Sequence, residues 1–84
     1  MEKKLILKAE AGFHARPASV FAQKAMTFDG DVSIIFGDKE VNGKSVMGIL
    51  TLGAVCGSEI TIKLAGKDEA AMMAELVEIV ETMK

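Results

Sequence analysis

The chemistry of this chain gathers in Gly12-Phe13-His14-Ala15-Arg16-Pro17-Ala18, which holds the only histidine and the only proline of its 84 residues. Proline has a fixed φ and no N–H, so a helix tolerates it in the first turn and hardly anywhere later. The residue before a proline is pushed away from the α region, which makes Arg16 a natural boundary. A helix is therefore predicted to start at about residue 16 or 17, with His14 just ahead of it. The first N–H groups of a helix have no intrahelical acceptor, and the dipole adds positive potential, so anions settle there. A neutral imidazole has a lone pair to offer phosphorus, and a helix start works against its cationic form. Arg16 brings a fork of donors that matches phosphate oxygens. The N–H groups of Ala15 and Arg16 are further donors, and Gly12 allows a close backbone approach. The combination suits a phosphoryl acceptor, because positioning and charge stabilisation carry most of the catalysis of phosphoryl transfer. The plainer alternative is a helix-capping imidazole beside a helpful arginine.

Other chemistries find too few parts. One histidine and the single Cys56 cannot supply the several convergent ligands of a metal site, so no metal and no cofactor are expected. No carboxylate, cysteine or second histidine lies in the segment, and nothing demonstrates the base–nucleophile geometry of a hydrolytic triad. Gly43-Lys44-Ser45 ends like a P-loop, but Asp38 stands where G-x-x-x-x-G-K-[ST] requires its first glycine. ATP binding by this chain alone is not expected.

The elements that must hold the histidine follow from periodicity. Lys3 to Ala9 alternates as a half-buried strand, and Glu10 to Phe13 is loop. From Pro17 to about Phe28, Ala18, Phe21, Ala22, Ala25 and Met26 fall on one helical stripe, with Gly30 as the expected C′ residue. Val32, Ile34 and Phe36 alternate as a strand, and Gly37-Asp38 turns the chain into a short strand at 39–41. Ser45 is placed to cap a marginal helix from Val46 to Thr51, weakened by Gly48. Ile60, Ile62 and Leu64 make a fourth strand. Asp68 is the expected N-cap of a last helix to about Thr82, with Met73, Leu76, Val77 and Val80 as its buried stripe. The order β-α-β-β-α-β-α predicts an α+β fold of two layers: an antiparallel sheet with one face under helices and the other exposed.

Length and composition set bounds. Eighty-four residues make one domain spanning 1–84, with a modest core. One cysteine forms no internal disulfide, which fits a reducing compartment. The N-terminal segment returns to charge after three apolar residues, too soon for a secretory signal or a membrane span. A cytoplasmic protein without membrane insertion is expected. Charge is uneven. Residues 1–28 carry five basic and two acidic side chains, a net +3; residues 29–67 net −1; residues 68–84 net −4. The histidine lies in the positive third, whose field attracts phosphate or an acidic protein surface. The basic excess is too small to argue for nucleic acid. The only aromatics are Phe13, Phe21, Phe28 and Phe36, mostly at core positions rather than on the sheet face that stacking on RNA requires.

Two segments together resemble one family. Gly12-Phe13-His14-Ala15-Arg16-Pro17-Ala18 matches the active-site motif of HPr, the histidine-containing phosphocarriers of the bacterial phosphoenolpyruvate:sugar phosphotransferase system. Lys44-Ser45-Val46-Met47-Gly48-Ile49-Leu50-Thr51-Leu52-Gly53 matches the family's regulatory-serine motif, at the right separation and over essentially the full length. The resemblance implies an open-faced β-sandwich, a four-stranded antiparallel sheet under three helices. It implies that His14 takes a phosphoryl group on Nδ1 from phosphorylated enzyme I and passes it to EIIA proteins or domains, with Arg16 steadying the phosphate. The protein would take part in phosphotransfer rather than act as a free-standing catalyst, and would work as a monomer. Ser45 would be the target of an ATP-dependent HPr kinase/phosphorylase, its phosphorylated form binding a catabolite-repressor protein. From local chemistry alone, Ser45 is a plain N-cap. The resemblance assigns Phe13, Pro17, Val20, Lys24, Val46, Met47 and Leu50 to partner docking. Met47 is expected to face partners and Ile49 the core.

The chain departs from the family pattern at Ala11, where many relatives carry a hydroxyl, and at Gly43, where a bulkier residue is common. The first departure removes a hydroxyl from beside the active-site loop, and the second bears on kinase recognition. Cys56 matches nothing functional. A rival reading makes the protein a regulatory adaptor whose output is Ser45 phosphorylation; His14 and Arg16 together argue against that as its sole role.

Overall fold

The computed structural model describes residues 1–83. Seven elements follow in the order β1 (Glu2–Ile6), α1 (Ala15–Ala25), β2 (Gly30–Phe36), β3 (Lys39–Asn42), α2 (Val46–Thr51), β4 (Glu59–Gly66) and α3 (Glu69–Thr82). The four strands form one antiparallel sheet in the order β1-β4-β2-β3. Alternation decides which face is covered. Leu5, Val32, Ile34, Ile60, Ile62 and Leu64 point under the helices and are buried, while their neighbours Lys4, Asp31 and Lys63 face water. The helices add Ala18, Phe21, Ala22, Ala25, Ile49, Met73, Leu76 and Val80 to the same core. This is the expected open-faced sandwich.

Several boundaries differ from the sequence reading, each for a local reason. β1 stops at Ile6, yet Leu7 and Ala9 remain buried. Leu7 still donates its N–H to Ser58 O at 2.9 Å and accepts from Gly57 N at 2.8 Å, but β4 begins only at Glu59, so regular pairing runs out. α1 starts at Ala15, not at 16 or 17, which puts Pro17 at the third helical position. Pro17 needs no hydrogen bond there, because the intrahelical ladder opens one residue later, with Ala18 N–H donating to His14 O at 3.0 Å. The pre-proline restriction on Arg16 is overridden. At its other end α1 stops at Ala25, and the chain tightens as Thr27 and Phe28 donate to carbonyls three residues back. That tighter turn carries Phe28 into the core.

Gly30 is not the C′ residue of α1. It opens β2 at φ +153°, and a Cβ there would lie 2.3 Å from Ala65 O. Its opposite number Gly66 is as crowded, with Asp29 O at 2.3 Å, so paired glycines let β2 and β4 close on one another.

Asp68 precedes α3 as expected but makes no side-chain cap and adopts φ +56°. Glu69, the first residue of α3, instead ties the helix start to β4 and to the N-terminus. Its Oε2 accepts from Gly66 N at 3.1 Å and its Oε1 from the Met1 ammonium at 2.8 Å. The ammonium, and then the Gly66 N–H, hold this carboxyl below the ordinary glutamate range. In the buried stripe of α3, Met72 takes the place expected of Val77, which is half-buried at the edge.

Candidate phosphoryl-acceptor site

The loop that presents His14 is shaped by Gly12 and Phe13. Gly12 sits at φ +67° and donates its N–H to Ala9 O at 2.9 Å. A Cβ at Gly12 would lie 2.4 Å from Ala54 O and 2.6 Å from Val55 Cα. The close approach that this glycine permits is therefore to the 54–55 backbone, not to an anion. Phe13 N–H donates to the same Ala54 O at 3.1 Å. The Phe13 ring, expected on the docking surface, is only 5% exposed and meets Phe21 edge-on at 5.6 Å. Phe13 anchors the loop from inside and offers partners almost no area.

His14 follows as the N-cap residue of α1, with extended backbone at φ −97° and ψ −172°. Its side chain makes no capping hydrogen bond to the helix, so the plainer alternative fails. The ring is half-buried, and Arg16, two residues on, is exposed. The N–H groups of Ala15 and Arg16 lie ahead of the first intrahelical bond, so both are available to an anion. Pro17 has no donor, which leaves these two amides and the guanidinium as the local set.

His14, Arg16, Pro17 and Val20 line a surface cleft of roughly 400 Å³. Ile79, Thr82 and Met83, at the end of α3, line it too. These last three escaped the sequence reading. They are distant in the chain and carry no reactive group, so no local signal marks them. A larger hollow of roughly 660 Å³ lies on the open face of the sheet, among Asp31, Ser33, Glu40, Asn42, Lys44 and Lys63. Its charges are mixed and it holds neither histidine nor arginine, so the smaller cleft is the candidate site. Among the described residues no group of three or more His, Cys, Asp or Glu side chains is placed to hold a metal ion.

The remaining candidates lie outside the cleft. Lys24 is half-buried on α1, with its ammonium 3.5 Å from a carboxylate oxygen of Glu75 on α3. Ser45 caps α2, its Oγ accepting from Gly48 N at 3.0 Å. Met47 is 71% exposed and Ile49 fully buried, while Val46 and Leu50 are half-buried against the core. Gly43 is buried, and a Cβ there would lie 2.5 Å from Val32 Cγ1, so Val32 fills the space a larger residue would take. Cys56 is exposed. No helix among the described residues is long and apolar enough to cross a membrane.

Known proteins share this sequence and shape. Residues 1–82 match the family described as PTS HPr component phosphorylation site. The phosphocarrier protein HPr of Borreliella burgdorferi is 37% identical over 84 residues, covering 100% of this chain and 98% of the relative. An HPr-like protein, Crh, of Halalkalibacterium halodurans is 38% identical over 81 residues, covering 96% of each. The crystal structure of HPr-C-His from Thermoanaerobacter tengcongensis superposes with a TM-score of 0.92 at 35% identity, covering 98% of this chain and 92% of that one. A histidine set before two unspent amides, on a sandwich of this topology and with relatives of this kind across its length, leads to one assignment: the chain belongs to the HPr family of phosphocarriers of the phosphotransferase system.

Proposed function

We propose that this single domain takes a phosphoryl group on His14 Nδ1 from phosphorylated enzyme I and hands it to EIIA components. The observation that carries this reading is the placement of His14 at the N-cap of α1, beside the Ala15 and Arg16 amides that precede the first intrahelical hydrogen bond. In the step itself, the bond from phosphorus to the donor's nitrogen breaks as the bond to His14 Nδ1 forms. The three outer phosphoryl oxygens carry negative charge throughout. The Arg16 guanidinium and the two N–H groups stabilise that charge, and the helix dipole adds to them. Return of the group to a second protein is the same step reversed. No second substrate pocket is needed, because each partner supplies the other phosphoryl-bearing atom.

Incubation with enzyme I and phosphoenolpyruvate is expected to add one acid-labile phosphate per chain, lost in His14→Ala. Retention of the label in that variant overturns the site.

Ser45 regulation belongs to the same proposal. Ser45 is half-buried at the start of α2, where HPr kinase/phosphorylase would add a phosphate to its Oγ and a catabolite-repressor protein would read it. The Crh relative supports a regulatory output alongside the carrier role. We place the protein in the cytoplasm as a monomer, in transient contact with its partners through α1 and the exposed Met47 of α2.

A further inference from the structure

The cleft beside His14 is built by two helices, and only one of them carries the known motif. Pro17 and Val20 come from α1; Ile79 and Thr82 belong to the last turn of α3, and Met83 follows it. Away from His14 and Arg16 the lining is apolar, and the Thr82 hydroxyl is already spent, donating to Glu78 O at 2.7 Å. Val20 is 47% exposed. A neighbouring hollow that shares Ile79 and Thr82 is bordered by Lys24, Glu75 and Glu78, with the Lys24–Glu75 ion pair across it. An apolar centre edged by charge is the anatomy of a docking surface.

We propose that this cleft seats an apolar side chain of the protein that exchanges phosphoryl groups with His14, which makes the end of α3 part of the docking surface. The inference rests on the carrier role argued above. Transfer between two side chains requires the reacting atoms to come within about 3–3.5 Å of one another. A partner that reaches His14 so closely must also cover the cleft that His14 lines. A carboxylate pushed into it would compete with the phosphoryl group for Arg16, and an ammonium would lose water and find no counter-charge among the lining residues, whereas a leucine, methionine or phenylalanine side chain would exclude water and bury Val20 and Ile79. Fully desolvated apolar anchors of this kind are where binding energy concentrates.

Thr82→Trp tests this by filling the cleft. Thr82 is exposed, so the substitution leaves the core alone, and Thr82→Gln is a smaller plug at the same place. Each variant is phosphorylated in two ways: by phosphorylated enzyme I, and by phosphoramidate, a small donor that needs no docking. With enzyme I, the KM of Thr82→Trp is expected to rise about tenfold, equivalent to about 1.4 kcal/mol, with Thr82→Gln shifting in the same direction. The rate at saturation and the phosphoramidate labelling of His14 stay as in the parent chain. An unchanged KM in both variants overturns the proposal. So does a lower saturating rate with KM unchanged, which would place the cleft in the chemistry rather than in docking. Failure of the parent chain to take phosphate from enzyme I while phosphoramidate still labels His14 refutes the carrier reading instead, and this inference with it.

Discussion

Gly12→Ala is the substitution whose cost can be worked most fully from the structure. Gly12 has φ +67°, where an L-residue pays about 1–2 kcal/mol. Alanine returns about 0.4–1 kcal/mol by narrowing the unfolded ensemble, so the backbone term alone is about 1 kcal/mol. A steric term adds to it. The new Cβ would lie 2.4 Å from Ala54 O, a full ångström inside ordinary contact at 3.4 Å. Both obstacles are backbone, at Ala54 and Val55, so no side chain can swing aside. The loop must move, and the bond from Phe13 N–H to Ala54 O stretches or breaks, costing about 1 kcal/mol more. The total is about 2 kcal/mol. Gly37→Ala is the internal control. Gly37 has nearly the same φ, +60°, but nothing within 4 Å of its added Cβ, so it pays only the backbone term of about 1 kcal/mol. Urea denaturation of both variants measures the difference. Function should split as well. His14 lies two residues beyond Gly12, and displacement of a reacting group by about 1 Å can cost on the order of 10²-fold in rate. Phosphorylation by enzyme I is expected to slow sharply in Gly12→Ala and to hold in Gly37→Ala. Equal destabilisation by the two, or full activity in Gly12→Ala, refutes the claim that the 54–55 backbone sets the position of the histidine.

Two further outcomes are expected. Ser45→Ala removes the bond from Gly48 N to Oγ and should lower stability by about 1 kcal/mol in denaturant titration, while His14 still accepts phosphate from enzyme I; loss of that acceptance would favour the adaptor reading. Glu69→Gln should lower the melting temperature at neutral pH. The Glu69 carboxyl is held below its ordinary value in the folded protein, so its contribution is present above the ordinary glutamate range and fades as pH falls through the lowered value. The gap between parent and variant should therefore close on acidification, and a gap that widens in acid contradicts the assignment.

Residues that announce their own surroundings were readable in advance. Alternation along 60–64 and the helical stripe at 18, 21, 22 and 25 named their buried faces, because burial of one face imposes its period on the chain, but Met26, read on the same stripe, is 60% exposed where α1 has already ended. Ser45 before a short apolar run was read correctly as a cap, since that bond spans only three residues. Some misreadings are local, as at the start of α1, where the helix overrides the pre-proline restriction on Arg16; others turn on partners elsewhere in the chain. Gly30 looked like a helix terminator because a glycine after a helix usually is one; its need for glycine comes from Ala65 across the sheet. Asp68 holds the N-cap position as read but makes no side-chain cap, and its neighbour Glu69 ties the helix start to Gly66 and Met1.

The candidate site divides along the same line. His14, its arginine and the first turn of α1 are local in the chain, so proline placement and helix electrostatics offered a phosphoryl acceptor beside a plain helix cap, and the resemblance to HPr chose between them. Tertiary structure alone decided that Phe13 is an internal anchor rather than a contact surface, that Gly12 yields space to a loop some forty residues away, and that the end of α3 walls the cleft. Reactive groups carry their chemistry in their own atoms and can be recognised singly. Packing partners are ordinary aliphatic side chains and main-chain oxygens, and they acquire a role only when the folded sheet and helices bring them within contact.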